Sequence, residues 1–281
     1  MAGQPNGLLN LARAAAGALP FVSRPAGLST RTVTVKDLSI DPANVAEYAS
    51  VTGLRFDDTV PLTYPFALTF PAMMSLITGF DFPFAAMGSV HLENRITRHR
   101  PIAVTDVLDV DVRAENLREH RRGLLVDAVT DIRIGNDLAW HQVATFLHQQ
   151  RTSLSDEPKP EQQKQPKLPP PNAILTITPG QIRHYASVGG DHNPIHTSSI
   201  GAKLFGFPTA IAHGMFSAAA VLANIEGQLP SEVDYSVRFG KPVVLPAKAG
   251  LYVERTGSGW DLTLRNLSKG YPHLTATVTG R

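Results

Sequence analysis

The hexapeptide Tyr48-Ala49-Ser50-Val51-Thr52-Gly53 returns as Tyr185-Ala186-Ser187-Val188-Gly189-Gly190, and 96–102 (ITRHRPI) is echoed at 237–243 (VRFGKPV). The two shifts in numbering, 48 to 185 and 96 to 237, nearly agree. In a chain of 281 residues this points to a duplicated fold. Between the copies lies 151–172, RTSLSDEPKPEQQKQPKLPPPN, in which six of 22 residues are proline and none is aromatic. Such a stretch cannot pack as a core and runs extended. At about 3.1 Å per residue it reaches up to roughly 70 Å, enough to carry the chain over one module and start the next. The chain therefore divides into an extension at 1–30, a module at 31–150, a linker at 151–172 and a second module at 173–281.

Each module reads as helix first, then strands. In the first, Asp41 and Pro42 open a helix at 42–52, and a buried helical stretch is expected at 72–78. Period-two alternation over 108–113, 126–134 and 140–147 signals antiparallel strands with one wet face. In the second, helices are expected at 179–188 and 215–225, then strands at 235–239, 250–255, 260–265 and 274–279. Gly257-Ser258-Gly259 reads as a hairpin turn. Helices able to lie against an antiparallel sheet make an α+β architecture.

Other classes are disfavoured by composition. Apolar residues make up 43% and charged ones 18%, which supports a real core. A net charge of +2 gives no field suited to nucleic acid. The chain has no cysteine, which removes disulfides, thiolate metal sites and a cysteine nucleophile, and is compatible with the cytoplasm. The apolar run at 8–22 lacks a preceding basic residue and is interrupted by Arg13 and Pro20, so an amphipathic helix is expected there rather than a signal peptide. The uncharged run at 61–80 is long enough to raise the question of a membrane span, but Pro65 and Pro71 are expected to break it into short buried pieces.

The chemistry concentrates in 185–215, YASVGGDHNPIHTSSIGAKLFGFPTAIAHGM. Gly189, Gly190 and Pro194 keep Asp191, Asn193 and His196 out of regular helix, on a loop of its own shape. A carboxylate beside an imidazole can share proton transfer near neutral pH. When the shift of 48 to 185 is carried onward, Leu54, Phe56 and Thr59 fall opposite Asp191, Asn193 and His196, so only the second copy carries the polar set. Alone, an Asp-x-Asn-Pro sequence is often only a turn. His192 and His196 are four apart, but Pro194 prevents a helical His-x-x-x-His face and no zincin glutamate follows, so no metal is expected.

The run Y-A-x-x-x-G-D-x-N-P-I-H, followed by F-G-F-P-T-x-I-A-H-G-M, resembles the hydratase motif of MaoC-type (R)-specific enoyl-thioester hydratases. The whole chain resembles the double-hotdog 3-hydroxyacyl-thioester dehydratases of mycobacterial type. This resemblance implies a double hotdog, with each antiparallel sheet wrapped around a central helix. It also implies reversible dehydration of (3R)-hydroxyacyl thioesters in fatty-acid metabolism, without metal or redox cofactor. Asp191 and His196 would hold and deprotonate one water, Asn193 would support the loop, and the Gly214 N–H at a helix start would meet the thioester oxygen. His213 would shape the turn. Gly189 departs from the family pattern, which often has a small hydroxyl residue there.

In this family the non-catalytic half makes room for the acyl chain. Phe66, Phe70, Met73 and Phe84, within the low-charge stretch 61–87, are the candidates to line it, against the plainer reading of a core helix. Arg238 and Lys241, with Arg95, Arg98 and Arg100, are candidates for the phosphates of coenzyme A or of an acyl carrier protein's phosphopantetheine. The expected partner is the carrier-bound substrate, with no membrane span, and the chain is expected to be a monomer with an internal pseudo-dimer or a homodimer. A hotdog thioesterase, using Glu226 at the end of the central helix, and a non-catalytic acyl-binding protein are the alternatives.

Overall fold

Alternating apolar and polar residues build most of the molecule. A computed structural model describes residues 9–10, 13–14, 24–158 and 169–281. Most of the helix expected at 8–22, and the middle of the linker, lie outside the described residues. The first half contains β1 (Thr32–Ser39), α1 (Pro42–Thr52), α2 (Tyr64–Ile77), β2 (Ser89–Arg98), β3 (Val107–His120), β4 (Gly123–Ile134) and β5 (Asp137–Gln149). The second contains β6 (Ala173–Ile177), α3 (Pro179–Gly189), the short α4 (Pro194–Thr197) and α5 (Ser199–Leu204), α6 (Gly214–Leu222), β7 (Val233–Phe239), β8 (Ala247–Arg255), β9 (Gly259–Asn266) and β10 (Pro272–Gly280).

The strands form one antiparallel ten-stranded sheet in the order β1-β3-β4-β5-β2-β7-β10-β9-β8-β6. The order is the same read from either end once β1–β5 are matched with their counterparts, so the halves join edge to edge at β2 and β7. Both copies start their first helix by the same devices. Asp41 accepts from Ala43 N at 2.9 Å, and Thr178 and Gln181 form a capping box. Each helix stops at a glycine in the left-handed region, Gly53 at φ 79° and Gly190 at φ 74°.

The run at 61–80 differs from expectation: α2 is a single helix of 14 residues with Pro71 inside it. Pro65 sits in the first turn, where its missing N–H costs nothing, and Pro71 removes one ladder bond in the interior. Packing offsets that loss, because Tyr64, Phe66, Met73, Leu76 and Ile77 are buried in the common core. The helix expected at 215–225 ends at Leu222.

Paired hydrogen bonds fix the duplication residue by residue. Val60 N donates to Ile102 O, and Ala212 N to Val243 O, both at 2.9 Å. Val104 N donates to Asp58 O, and Leu245 N to Ala210 O, again at 2.9 Å. After the helices the copies keep the shift of the sequence echo, Ile102 matching Val243. The segment before those strands is shifted further, Val60 matching Ala212, and the first helices less far, Tyr48 matching Tyr185. The second copy therefore has the longer connection between its helices, and the added residues carry α4 and α5. This corrects the simple offset: Thr59 matches Ile211, not His196, while Leu54 and Phe56 lie in the short connection of the first copy. The first copy has no counterpart of the polar loop at all.

Candidate active site

The inserted loop begins where α3 ends. Asp191 Oδ1 accepts from Asn193 N at 3.2 Å, and Asn193 Oδ1 caps α4 by accepting from Ile195 N at 3.2 Å. With Pro194 at the first helical position, this single turn delivers His196 back toward Asp191. Ile211 N donates to Ile195 O at 3.0 Å, and His196 Nδ1 donates to Ile211 O at 2.9 Å. That bond fixes the ring and its tautomer, with Nδ1 carrying the proton and Nε2 able to accept a hydrogen bond.

His213, the cap residue of α6, enters the site more deeply than a turn-shaping role requires. Its ring stacks on His196 with centroids 3.8 Å apart, and its Nε2 donates to Asp191 O at 3.0 Å. It is 3% exposed, and burial together with the neighbouring His196 lowers its pKa to about 3, so it stays neutral. Nothing at the level of pattern distinguishes this role from that of an ordinary helix-start histidine; only the tertiary fold brings residue 213 against 191 and 196. Asp191, His196 and His213 each present one donor atom within 4.8 Å of the others, a carboxylate and two imidazoles of the kind that can hold a divalent ion. Main-chain carbonyls already engage Nδ1 of His196 and Nε2 of His213. His192, the other half of the rejected His-x-x-x-His pair, points into solvent.

Gly214 is the first residue of α6, where helical N–H groups lack internal acceptors. A Cβ on it would lie 3.0 Å from the ring of Phe239, so any side chain there would press on that ring. Phe239 in turn meets His91 on β2, with ring centroids 4.9 Å apart, and His91 stacks between Phe146 at 4.8 Å and Phe66 at 5.9 Å. Neither Phe239 nor His91 stands out in the sequence. Both belong to alternating strands whose inward faces look alike.

The remaining candidates separate. Phe66 and Phe70 touch one another and join this ring cluster through Phe66. Met73 is buried in the core, and Phe84 packs on Phe82 and His148 away from the rings above. Arg238 lies on the face of β7 opposite Phe239 and is paired with Glu93 at 2.7 Å, so it is not brought to the loop. Lys241 follows shortly after Phe239 and lies over the Tyr271 ring at 4.5 Å. Arg98 donates to Pro230 O and Ser231 O. Glu226 accepts from Arg55 N at 2.7 Å. It lies past the far end of α6, over about 13 Å along the axis from Gly214, out of reach of the loop.

The MaoC like domain model matches residues 161–276. Over 277 residues, 99% of both chains, the protein is 74% identical to 3-hydroxyacyl-thioester dehydratase X of Mycobacterium tuberculosis. The chain belongs to the MaoC-like dehydratase family. The crystal structure of HtdX from M. tuberculosis superposes on this MaoC-like chain with a TM-score of 0.81 at 73% identity, covering 89% of it and all of the other. A MaoC-like dehydratase from Phytophthora capsici, only 17% identical, shares the fold with a TM-score of 0.73 over 92% of the chain. The architecture is accordingly a double hotdog, as the sequence resemblance implied.

Proposed function

We propose that the protein catalyses the reversible dehydration of (3R)-hydroxyacyl thioesters to trans-2-enoyl thioesters. The observation that carries this reading is the meeting of Asp191 with His196 on the inserted loop, His196 held by Ile211 O with Nε2 free. A water making two hydrogen bonds of about 2.8 Å can bridge groups up to about 5 Å apart, and the donor atoms of Asp191 and His196 lie within 4.8 Å of each other. In the hydration direction the water oxygen bonds to C3 and one water proton passes through the pair to C2. Charge gathers on the thioester oxygen, which the Gly214 N–H and the positive end of α6 would stabilise. Dehydration is the same path reversed, and Asn193 holds the loop. Neither metal nor redox chemistry is needed for these steps.

The substrate would arrive on coenzyme A or an acyl carrier protein, with Lys241 a candidate for phosphate contact beside Phe239. The acyl chain would leave the loop along Phe239, His91 and Phe66 into the first half. Among the described residues no helix is long and apolar enough to cross a membrane. The soluble carriers of the proposed substrate are the ground for placing the enzyme in the cytoplasm. The internal pairing of β2 with β7 already supplies the dimer-like contact within one chain.

The test follows enoyl-thioester absorbance and free thiol together. Loss of the enoyl signal without thiol release is expected, unchanged by chelator. Asp191→Asn and His196→Ala should each lower the rate about 10²–10⁴-fold. Thiol release would indicate a thioesterase instead, and no change in either signal would indicate a binding protein.

A further inference from the structure

The interior of the first half holds polar groups that its fold does not need. Asn94 on β2, Gln142 on β5 and Thr130 on β4 are at most 1% exposed and face inward. Register makes them neighbours: Gln142 lies opposite Ile96 and Thr130, and Asn94 lies opposite Ala144, one inward position from Gln142. Both amide atoms of Asn94, both of Gln142, the Thr130 hydroxyl and His91 Nε2 have no hydrogen-bond partner among the described residues. His91 lies opposite Phe146, one inward position from the Asn94–Ala144 pair, and meets the Phe239 ring that stands over Gly214, so the row starts beside the polar loop.

The duplicated half shows that these groups are not a requirement of the fold. His99 N donates to Ala139 O and Gly240 N to His273 O, which matches Ala139 on β5 with His273 on β10. Through these registers Gln142 matches Ala276, and Thr130 matches Leu262. Asn94 matches Tyr235, whose hydroxyl donates to Ala218 O at 2.8 Å. One copy of the fold fills these places with apolar or satisfied side chains, and the other with unsatisfied polar atoms. Buried polar atoms of this kind are rare in native cores and call for a partner.

We propose that His91, Asn94, Gln142 and Thr130 form a subsite for an oxygen-bearing group, a hydroxyl or oxo substituent, on the acyl chain of the substrate. A plain alkyl tail in the same place would leave every one of these atoms unmatched, whereas an oxygen can accept from the amide, imidazole and hydroxyl donors. The chain would pass Phe239 and His91 before its substituent meets the amides. This proposal rests on the dehydratase reading above.

The experiment compares kcat/KM for 2-enoyl-CoA substrates of matched length, plain or bearing a terminal hydroxyl, across a series of chain lengths. Crotonyl-CoA, too short to reach the row, serves as the control. Wild type should favour the hydroxylated chain by about tenfold or more at its best length, the scale set by one satisfied buried hydrogen bond. Gln142→Met and Gln142→Ala, the latter copying the second half, should each bring that ratio to about one or below while crotonyl-CoA turnover persists. Equal or better use of plain chains at every length overturns the subsite, because the row then holds only water. So does a hydroxyl preference that neither variant alters. Absence of turnover with crotonyl-CoA and all other thioesters overturns the dehydratase reading itself.

Discussion

Replacing Gly214 by alanine tests the placement of the oxyanion donor. The added Cβ would stand 3.0, 3.1 and 3.2 Å from Phe239 Cε1, Cδ1 and Cζ. Carbon atoms settle at about 3.5–4.0 Å, so the ring must retreat by a few tenths of an ångström. His91 lies behind it with centroids 4.9 Å apart, and Phe66 and Phe146 hold His91 in turn, so the retreat is resisted. Overpacking of this kind costs about 1–3 kcal/mol. Alanine recovers at most about 1 kcal/mol through its helix preference. The fold should therefore survive with a modest loss, while the start of α6 moves relative to the loop. Misplacing one oxyanion donor sets the scale for catalysis, about 10²-fold or more in kcat. The assay is enoyl-CoA hydration by Gly214→Ala, by Phe239→Leu and by the double variant, with thermal melts alongside. Removing the ring edge should restore at least about tenfold of the lost activity. A Gly214→Ala protein with wild-type kcat, or a double variant no better than the single, would refute the argument from close approach.

Acid stability should report the two buried imidazoles. Burial lowers His91 to about 4 and His213 to about 3, against an ordinary 6.5. Between those values the unfolded chain holds the proton and the folded one does not, so stability is complete above about pH 6.5 and falls as pH drops. His91→Phe should remove roughly 3 kcal/mol of the loss between pH 7 and 4, read from urea melts at several pH values; parallel pH curves for variant and wild type would refute it. Trp140 Nε1 donates to Leu62 O at 3.1 Å inside the core, at the entrance to α2. Trp140→Phe orphans that carbonyl and should cost about 1–3 kcal/mol, lowering Tm by about 2–4 °C for each kcal/mol; an unchanged Tm would show that the bond contributes nothing.

Local signals in the sequence carried the features that are local in space. Asp41-Pro42, Thr178 with Gln181, and the glycines at 53 and 190 mark helix ends by backbone chemistry acting within a single turn. α1 and α3 can be read for that reason, as can the polar turn from Asp191 to His196, and alternation within each strand marks β3–β5 and β7–β10. The strands β1, β2 and β6 escape the reading, and each module opens on a strand, β1 or β6, rather than on a helix. α2 was misjudged because Pro65 and Pro71 argue against a helix locally, and only burial against the sheet overrides them. The insertion that carries α4 and α5 blurred the match of Thr59, since an offset taken from the first helices cannot reveal a gap that follows them. Phe239, His91 and the stacking of His213 on His196 depend on which strands become neighbours, and alternation within a strand carries no information about that. Arg238 looked available for phosphate because sequence does not show that Glu93 lies directly across from it.

The seam between the halves explains why one chain holds two copies. Tyr48 and Tyr185, counterparts in the repeat, meet with ring centroids 5.8 Å apart, and Asn44 Nδ2 donates to Val188 O at 3.2 Å. Phe239, which stands over Gly214, is backed by His91 from the other half. The polar loop belongs to one copy, but its surroundings belong to both. In a homodimer of single hotdogs, symmetry would impose every substitution on both subunits. Joining the copies in tandem lifts that constraint. The second copy can then carry the polar insertion alone, while the first omits it and places Asn94, Gln142 and Thr130 where its twin has Tyr235, Ala276 and Leu262.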